Sequence, residues 1–168
     1  MDNEFERRFV IPVTLIDLPK TGTPRIISQT YINDSIRMRK VINTDTGVER
    51  AYIQEKKRIN DICSEEGSVS VIPINVFNVI VTKIGLPCLI KYRTHYSMQH
   101  DDITLVVTYD QILFPTEVLT IGVLSIEFPT EEMARDFQPP SDWKEKETTL
   151  SSYEYFHALQ EHNKEKGR

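Results

Sequence analysis

Ile36-Arg37-Met38-Arg39 sets two arginines on one side of an extended chain and two apolar side chains on the other, because side chains alternate faces along a strand. The same alternation recurs outward in both directions. Toward the N-terminus, Glu4-Phe5-Glu6-Arg7-Arg8 places Glu4, Glu6 and Arg8 on one face. Toward the C-terminus, Lys56 pairs with Arg58, and Lys91 pairs with Arg93 opposite Ile90 and Tyr92. Four expected strands therefore carry seven basic side chains and two carboxylates, sorted by sign. Periodicity leaves two arrangements open: solvated faces of an antiparallel sheet, or a basic cavity. Solvated faces usually mix signs, and like charges opposed across strands repel unless an anion sits between them. A barrel with a basic interior could hold a polyphosphate, its arginines gripping phosphate oxygens and its carboxylates holding a divalent cation.

The rest of the chain fits a sheet-dominated domain. Strands are expected at 4–13, 26–32, 35–41, 50–59, 87–97, 103–111 and 118–128, divided by turn residues at 19–22, 33–34, 43–47, 64–67 and 114–115. The apolar run 69–84 reads as strand or short helix, and its β-branched content argues strand. Thr130 caps a helix with Glu131 and Glu132 in its first turn and Met133, Ala134 and Phe137 as its apolar stripe, ending at Pro139-Pro140. A second helix is expected from Ser151 or Ser152 through Tyr155, Phe156 and Leu159. Residues 1–160 read as one domain and 161–168 as a polar tail.

Composition excludes several classes of function. Twenty-five acidic against 20 basic residues leave a net charge of -5, so no global positive field exists to coat DNA or an anionic membrane. Six glycines form no phosphate-cradling loop, so a phosphate ligand must be held by side chains. Two cysteines without C-x-x-C spacing, no signal peptide and no apolar run of about 18 residues imply a cytoplasmic, reduced setting without a membrane partner. His95 continues the Lys91 and Arg93 face, either as a phosphate contact or as a structural strand histidine. Loops 14–25 and 43–49 carry no readable code for a substrate.

An ordered series of segments resembles the CYTH superfamily, the triphosphate tunnel metalloenzymes, which include inorganic and thiamine triphosphatases, RNA triphosphatases and class IV adenylyl cyclases. Glu4 to Arg8 resembles its E-x-E-x-K strand, Ile27 to Ile32 its Q-x-Y-L segment and Ile36 to Arg39 its R-[IL]-R strand. Tyr52 to Lys56 is similar to the strand ending in T-x-K, and Lys91-Tyr92-Arg93 to K-x-R. Glu127 to Glu132 with Phe137, and Pro139-Pro140, Trp143, Glu147, Thr149 and Tyr153, resemble the closing segments. The resemblance implies an α+β fold: an eight-stranded antiparallel barrel, open at both ends, with charged side chains inside and helices packed outside.

Carried over by position, Arg37, Arg39, Lys56, Lys91 and Arg93 bind the triphosphate, joined by Arg8 and Arg58. Glu4, Glu6 and Glu127 hold Mg²⁺ or Mn²⁺, and Glu4, Glu6 and Arg8 form the catalytic group. Four departures bear on activity. Arg8 stands where the family has lysine and cannot act as a neutral amine. Ser125 replaces a glutamate, residues 68–72 replace an acidic strand, and Val107-Thr108-Tyr109 replaces D-V-F unless Asp110 takes over by a register shift. As many as four carboxylates are then missing, which should favour tight binding over turnover. Two functions follow: a divalent-metal-dependent hydrolase of a triphosphate compound or nucleotide, or a tunnel that sequesters or senses such a ligand, RNA 5′ ends included. Oligomeric state is left open.

Overall fold

The computed structural model describes residues 1–115, 117–150, 154–155, 157–158, 161 and 165. Its strands are β1 (Asp2–Pro12), β2 (Arg25–Tyr31), β3 (Ile36–Asn43), β4 (Glu49–Arg58), β5 (Cys63–Glu66), β6 (Ser70–Ile72), β7 (Leu89–His100), β8 (Ile103–Phe114), β9 (Val118–Phe128) and β10 (Glu147–Thr148). Eight of them pair antiparallel in the order β1-β5-β4-β3-β2-β7-β8-β9, and β9 returns to β1 to close a barrel. The short strands β6 and β10 add to β4 and β1 beside β5. Among the described residues no helix is long and apolar enough to cross a membrane.

This barrel turns the usual polarity outward. Odd-numbered residues of β1 and β8 and even-numbered residues of β9 point away from the lumen, and Phe9, Ile11, Val107, Tyr109, Leu124 and Ile126 are fully buried there. They are covered by α2 (Glu131–Asp136), Phe137 and Trp143. The Tyr109 hydroxyl donates to the Ile11 carbonyl at 2.8 Å, so its one polar atom is satisfied. On the other side α1 (Ile74–Lys83) lays Phe77 on Met38 and Ala51, the outward face of the strands that carry the arginines. With both outer faces sealed by apolar packing, the remaining face of each strand can only point into the lumen.

Several elements differ from their sequence-based expectation. The run 69–84 is mostly helix: Pro73 ends β6 and starts α1, and Ile74, Phe77, Ile80 and Val81 form a helical stripe that β-branching alone hid. Residues 64–66 of the expected 64–67 turn belong to a strand. The turn falls earlier, where Asn60 Oδ1 accepts from the amides of Ile62 and Cys63 at 2.9 and 2.8 Å. That places Cys63–Glu66 between β1 and β4, where a short strand must bridge the two. Thr130 caps α2 as expected, its Oγ1 accepting from the Met133 amide at 3.2 Å. Ser151, Ser152, Phe156 and Leu159 of the expected second helix lie outside the described residues, as does most of the 161–168 tail; Glu154, Tyr155, His157 and Ala158 are helical.

Candidate functional site: a two-walled lumen

The barrel encloses a cavity of about 330 Å³ lined by Glu4, Glu6, Arg8, Arg37, Arg39, Lys56, Lys91, Arg93 and Glu127. The sequence pattern therefore brings together every expected site residue but Arg58. That side chain leaves the main cavity and donates to the carbonyls of Asp61 and Thr149 at the rim. Two further carboxylates line the lumen: Asp110 on β8, the alternative to Val107 that the sequence left open, and Glu66 on β5, which the sequence did not point to. The count of six cations to three carboxylates becomes six to five.

The charges are sorted by wall. Arg37, Arg39, Lys91 and Arg93 come from β3 and β7, which flank β2. Glu4, Glu6, Glu66 and Glu127 come from β1, β5 and β9, three consecutive strands across the ring. Bridging pairs link the walls: Lys56 Nζ lies 2.9 Å from Glu4 Oε2 and 3.1 Å from Glu66 Oε1, and Arg37 Nη2 reaches the same Glu66 oxygen at 3.1 Å. Arg8 binds Glu6 on its own strand at 2.6 Å and donates to the Leu150 carbonyl, tying the chain beyond β10 to the lumen. Burial pushes Glu66 up, but its hydrogen bond with Glu4 and the charges of Lys56 and Arg37 outweigh this and bring it to about 2.

On the basic wall Asp110 is clamped by three cationic contacts: Arg93 Nε at 2.7 Å, Arg93 Nη2 at 2.8 Å and Lys91 Nζ at 2.8 Å. Burial opposes its charge, yet Arg93 and Lys91 hold it far below the ordinary carboxylate range. Lys91 is pushed down by burial and by Arg93 and Arg39, against the pull of Asp110. Asp110 sits on the lumen face because it shares parity with Thr108, while Val107 and Tyr109 pack outside. No slip is needed to bring it there; the β8 bulge follows, between Asp110 and Ile112. Gly122 on β9 accommodates the approach, since a Cβ there would collide with the Asp110 carbonyl and lie 2.8 Å from the Tyr109 ring. Ser70 lies on exposed β6 and not in the lumen, whereas β5 brings Glu66 into it.

Arg39 differs from its neighbours. Among the described residues it has no ion pair or hydrogen bond, and its Nε is shut from water without an acceptor. Burial first, then Arg37 and Arg93, lower it to about 9. A cation in that state is completed by an anion.

The acidic wall has the opposite imbalance. Glu127 stands in register with Glu6 on the neighbouring strand, without a partner among the described residues. Burial pushes it up, and Glu4, Glu6 and Glu66 push it further. As placed, no three acidic or other ligating side chains among the described residues converge closely enough to hold an ion. The donor set is nonetheless all carboxylate oxygen, which suits a hard divalent cation such as Mg²⁺ or Mn²⁺, although Glu4, Glu6 and Glu66 are each paired with a cation and Glu127 alone has no such partner among the described residues.

No family model matches the chain, and no curated protein is significantly similar to it. Solved structures share its fold. The inorganic triphosphatase NE1496 is 20% identical with a TM-score of 0.51, the match covering 95% of each chain. The putative adenylyl cyclase HpAC1 from Hippeastrum, described with a dominant triphosphatase activity, is 12% identical with a TM-score of 0.57 over 94% of this chain and 96% of that one. A conserved hypothetical protein from Pyrococcus furiosus is also 12% identical, with a TM-score of 0.57 over 90% and 98%.

Proposed function

We propose that this barrel, built like those of the triphosphatases above, is a divergent CYTH tunnel that binds a triphosphate group in its lumen and hydrolyses it with a divalent metal. The observation that carries the reading is Arg39, unpaired among the described residues, between Arg37 and Arg93 and facing a carboxylate wall across one cavity. Arg37, Arg39, Lys91 and Arg93 hold the phosphate chain along one wall and neutralise the charge that builds on the leaving phosphate oxygens. Asp110 orients Arg93 and Lys91 through its three contacts. Lys56, on β4, sits where the walls meet, and Arg8 stands on the acidic wall itself. Glu4, Glu6 and Glu127 would hold the cation, with Glu66 beside them. When bound, Mg²⁺ or Mn²⁺ supplies positive charge to the terminal phosphate oxygens and lowers the pKa of an attacking water.

One observation favours the second reading, a tunnel that retains its ligand without turning it over. Arg8 occupies the position where a neutral amine would serve as base, and it is locked to Glu6. Phosphate release from tripolyphosphate, ATP and GTP with Mg²⁺ or Mn²⁺ separates the two. Turnover that falls at least about 100-fold in Glu4→Ala and Glu127→Ala supports the hydrolase. No turnover alongside micromolar retention of tripolyphosphate supports the binding tunnel.

A further inference from the structure

A second cavity of about 590 Å³ opens at the end of the barrel where β2 and β4 begin and β3 ends. It meets the lumen at Arg39 and Arg93, which line both. Arg25, Arg50 and His95 add to these two, with Tyr52 on the wall. Arg25 stands directly opposite Arg93 in the β2–β7 register, a like-charge pair that is unfavourable on its own. No carboxylate lines this vestibule among the described residues. Asp45, in the adjoining loop, is instead engaged by the Thr23 hydroxyl at 2.7 Å. Arg25 and Arg50 have no ion pair or hydrogen bond among the described residues. Burial and the charges of Arg93 and Arg25 push His95 down, a sign of the excess positive field.

The lumen balances cations with carboxylates; the vestibule does not. A cavity of that kind fits further anionic groups of the same ligand rather than a metal or a neutral base. Asn43 Oδ1, the one amide oxygen there, is already accepting from the Asp45 and Thr46 amides at 2.9 and 3.1 Å. We infer that Arg25, Arg50 and His95 form an additional phosphate subsite, so that the ligand is a linear polyphosphate longer than three units whose chain runs past Arg39 into the vestibule. This rests on the tunnel reading above and extends it by naming the ligand class. Arg25 and Arg50 are then specificity determinants, contributing nothing to a triphosphate seated wholly in the lumen.

The test is calorimetric binding without metal at about 0.15 M salt, where long-range surface charge is largely screened. Ligands are tripolyphosphate, linear hexaphosphate and a 5′-triphosphate RNA oligonucleotide. Wild type is expected to prefer hexaphosphate over tripolyphosphate. Arg25→Ala with Arg50→Ala should cut that margin by about tenfold or more, the scale of one lost charge-assisted contact, and leave tripolyphosphate affinity unchanged. Lys144→Ala with Lys146→Ala removes the same charge from exposed positions elsewhere and should keep the margin. Circular dichroism and Tm confirm that each variant is folded.

Equal weakening of both ligands, an unchanged margin, or the same loss in the Lys144 and Lys146 variant overturns the subsite. RNA binding that exceeds hexaphosphate binding and depends on Arg25 and Arg50 overturns it in favour of a nucleic-acid ligand. If tripolyphosphate fails to bind both without metal and with Mg²⁺ added, or binds without dependence on Arg39, the tunnel reading itself fails. Tripolyphosphate binding that depends on Arg39, without a hexaphosphate margin, sinks the vestibule alone.

Discussion

Arg39 and Asp110 lie on the same wall and should respond to removal in opposite ways. Asp110 neutralises two buried cations, so Asp110→Asn leaves charge unpaired and should cost about 3–5 kcal/mol in urea unfolding. Arg39 has no partner among the described residues, so Arg39→Ala should cost little stability without ligand, or even gain some, while weakening tripolyphosphate at least about tenfold. A pair of variants that lost stability equally would refute this division. Glu66 adds a pH signature. Its lowered value means that its stabilisation is present above the ordinary carboxylate value of 4.5 and disappears as pH falls through about 2. The Tm difference between wild type and Glu66→Gln should therefore be full at neutral pH and shrink across that window.

At the scale of elements, the close contact of β8 with β9 depends on Gly122. Gly122→Ala should destabilise the protein by about 1–3 kcal/mol in denaturant titration, because the obstacles to its Cβ are a carbonyl oxygen and an aromatic ring already buried. Alternation along strands made β1, β3 and β7 legible, since each carries a same-face charged pair with apolar residues between. The parity that turns Asp110 inward was equally present, two residues beyond Thr108, whereas the likeness to D-V-F falls on Val107 to Tyr109 and reaches Asp110 only as an alternative. Glu66 was obscured for a different reason. Cys63-Ser64-Glu65-Glu66 has weak strand propensity and becomes a strand because β1 and β4 both pair with it. The helix after Pro73 was masked by valines and isoleucines, whose helical spacing matters only once Met38 and Ala51 offer a surface. Arg25 and Arg50 have no same-face charged neighbour on their own strands, and only the curvature of the sheet gathers them.

For the whole molecule, ligand and fold are thermodynamically linked. A tunnel lined by mutually repelling arginines is less stable empty than filled, so tripolyphosphate at about 100 times its Kd should stabilise the native state by about 2.7 kcal/mol. That corresponds to a rise in Tm of about 5–10 °C for a chain of this size, by scanning fluorimetry. Sulfate at the same ionic strength should give much less. The closure of β1 on β9 also orders events during synthesis. Of these strands β1 is made before the others, and it pairs along Phe5 to Pro12 with Ile121 to Phe128 of β9, made after seven more. Until then the outward residues Phe9 and Ile11 have no partner layer, and the acidic and basic walls have not been brought face to face. Between the synthesis of β1 and that of β9 the domain is therefore an open, curling sheet with a sticky first edge. The proposed phosphate site would be complete only in that late step, together with the last ladder of hydrogen bonds.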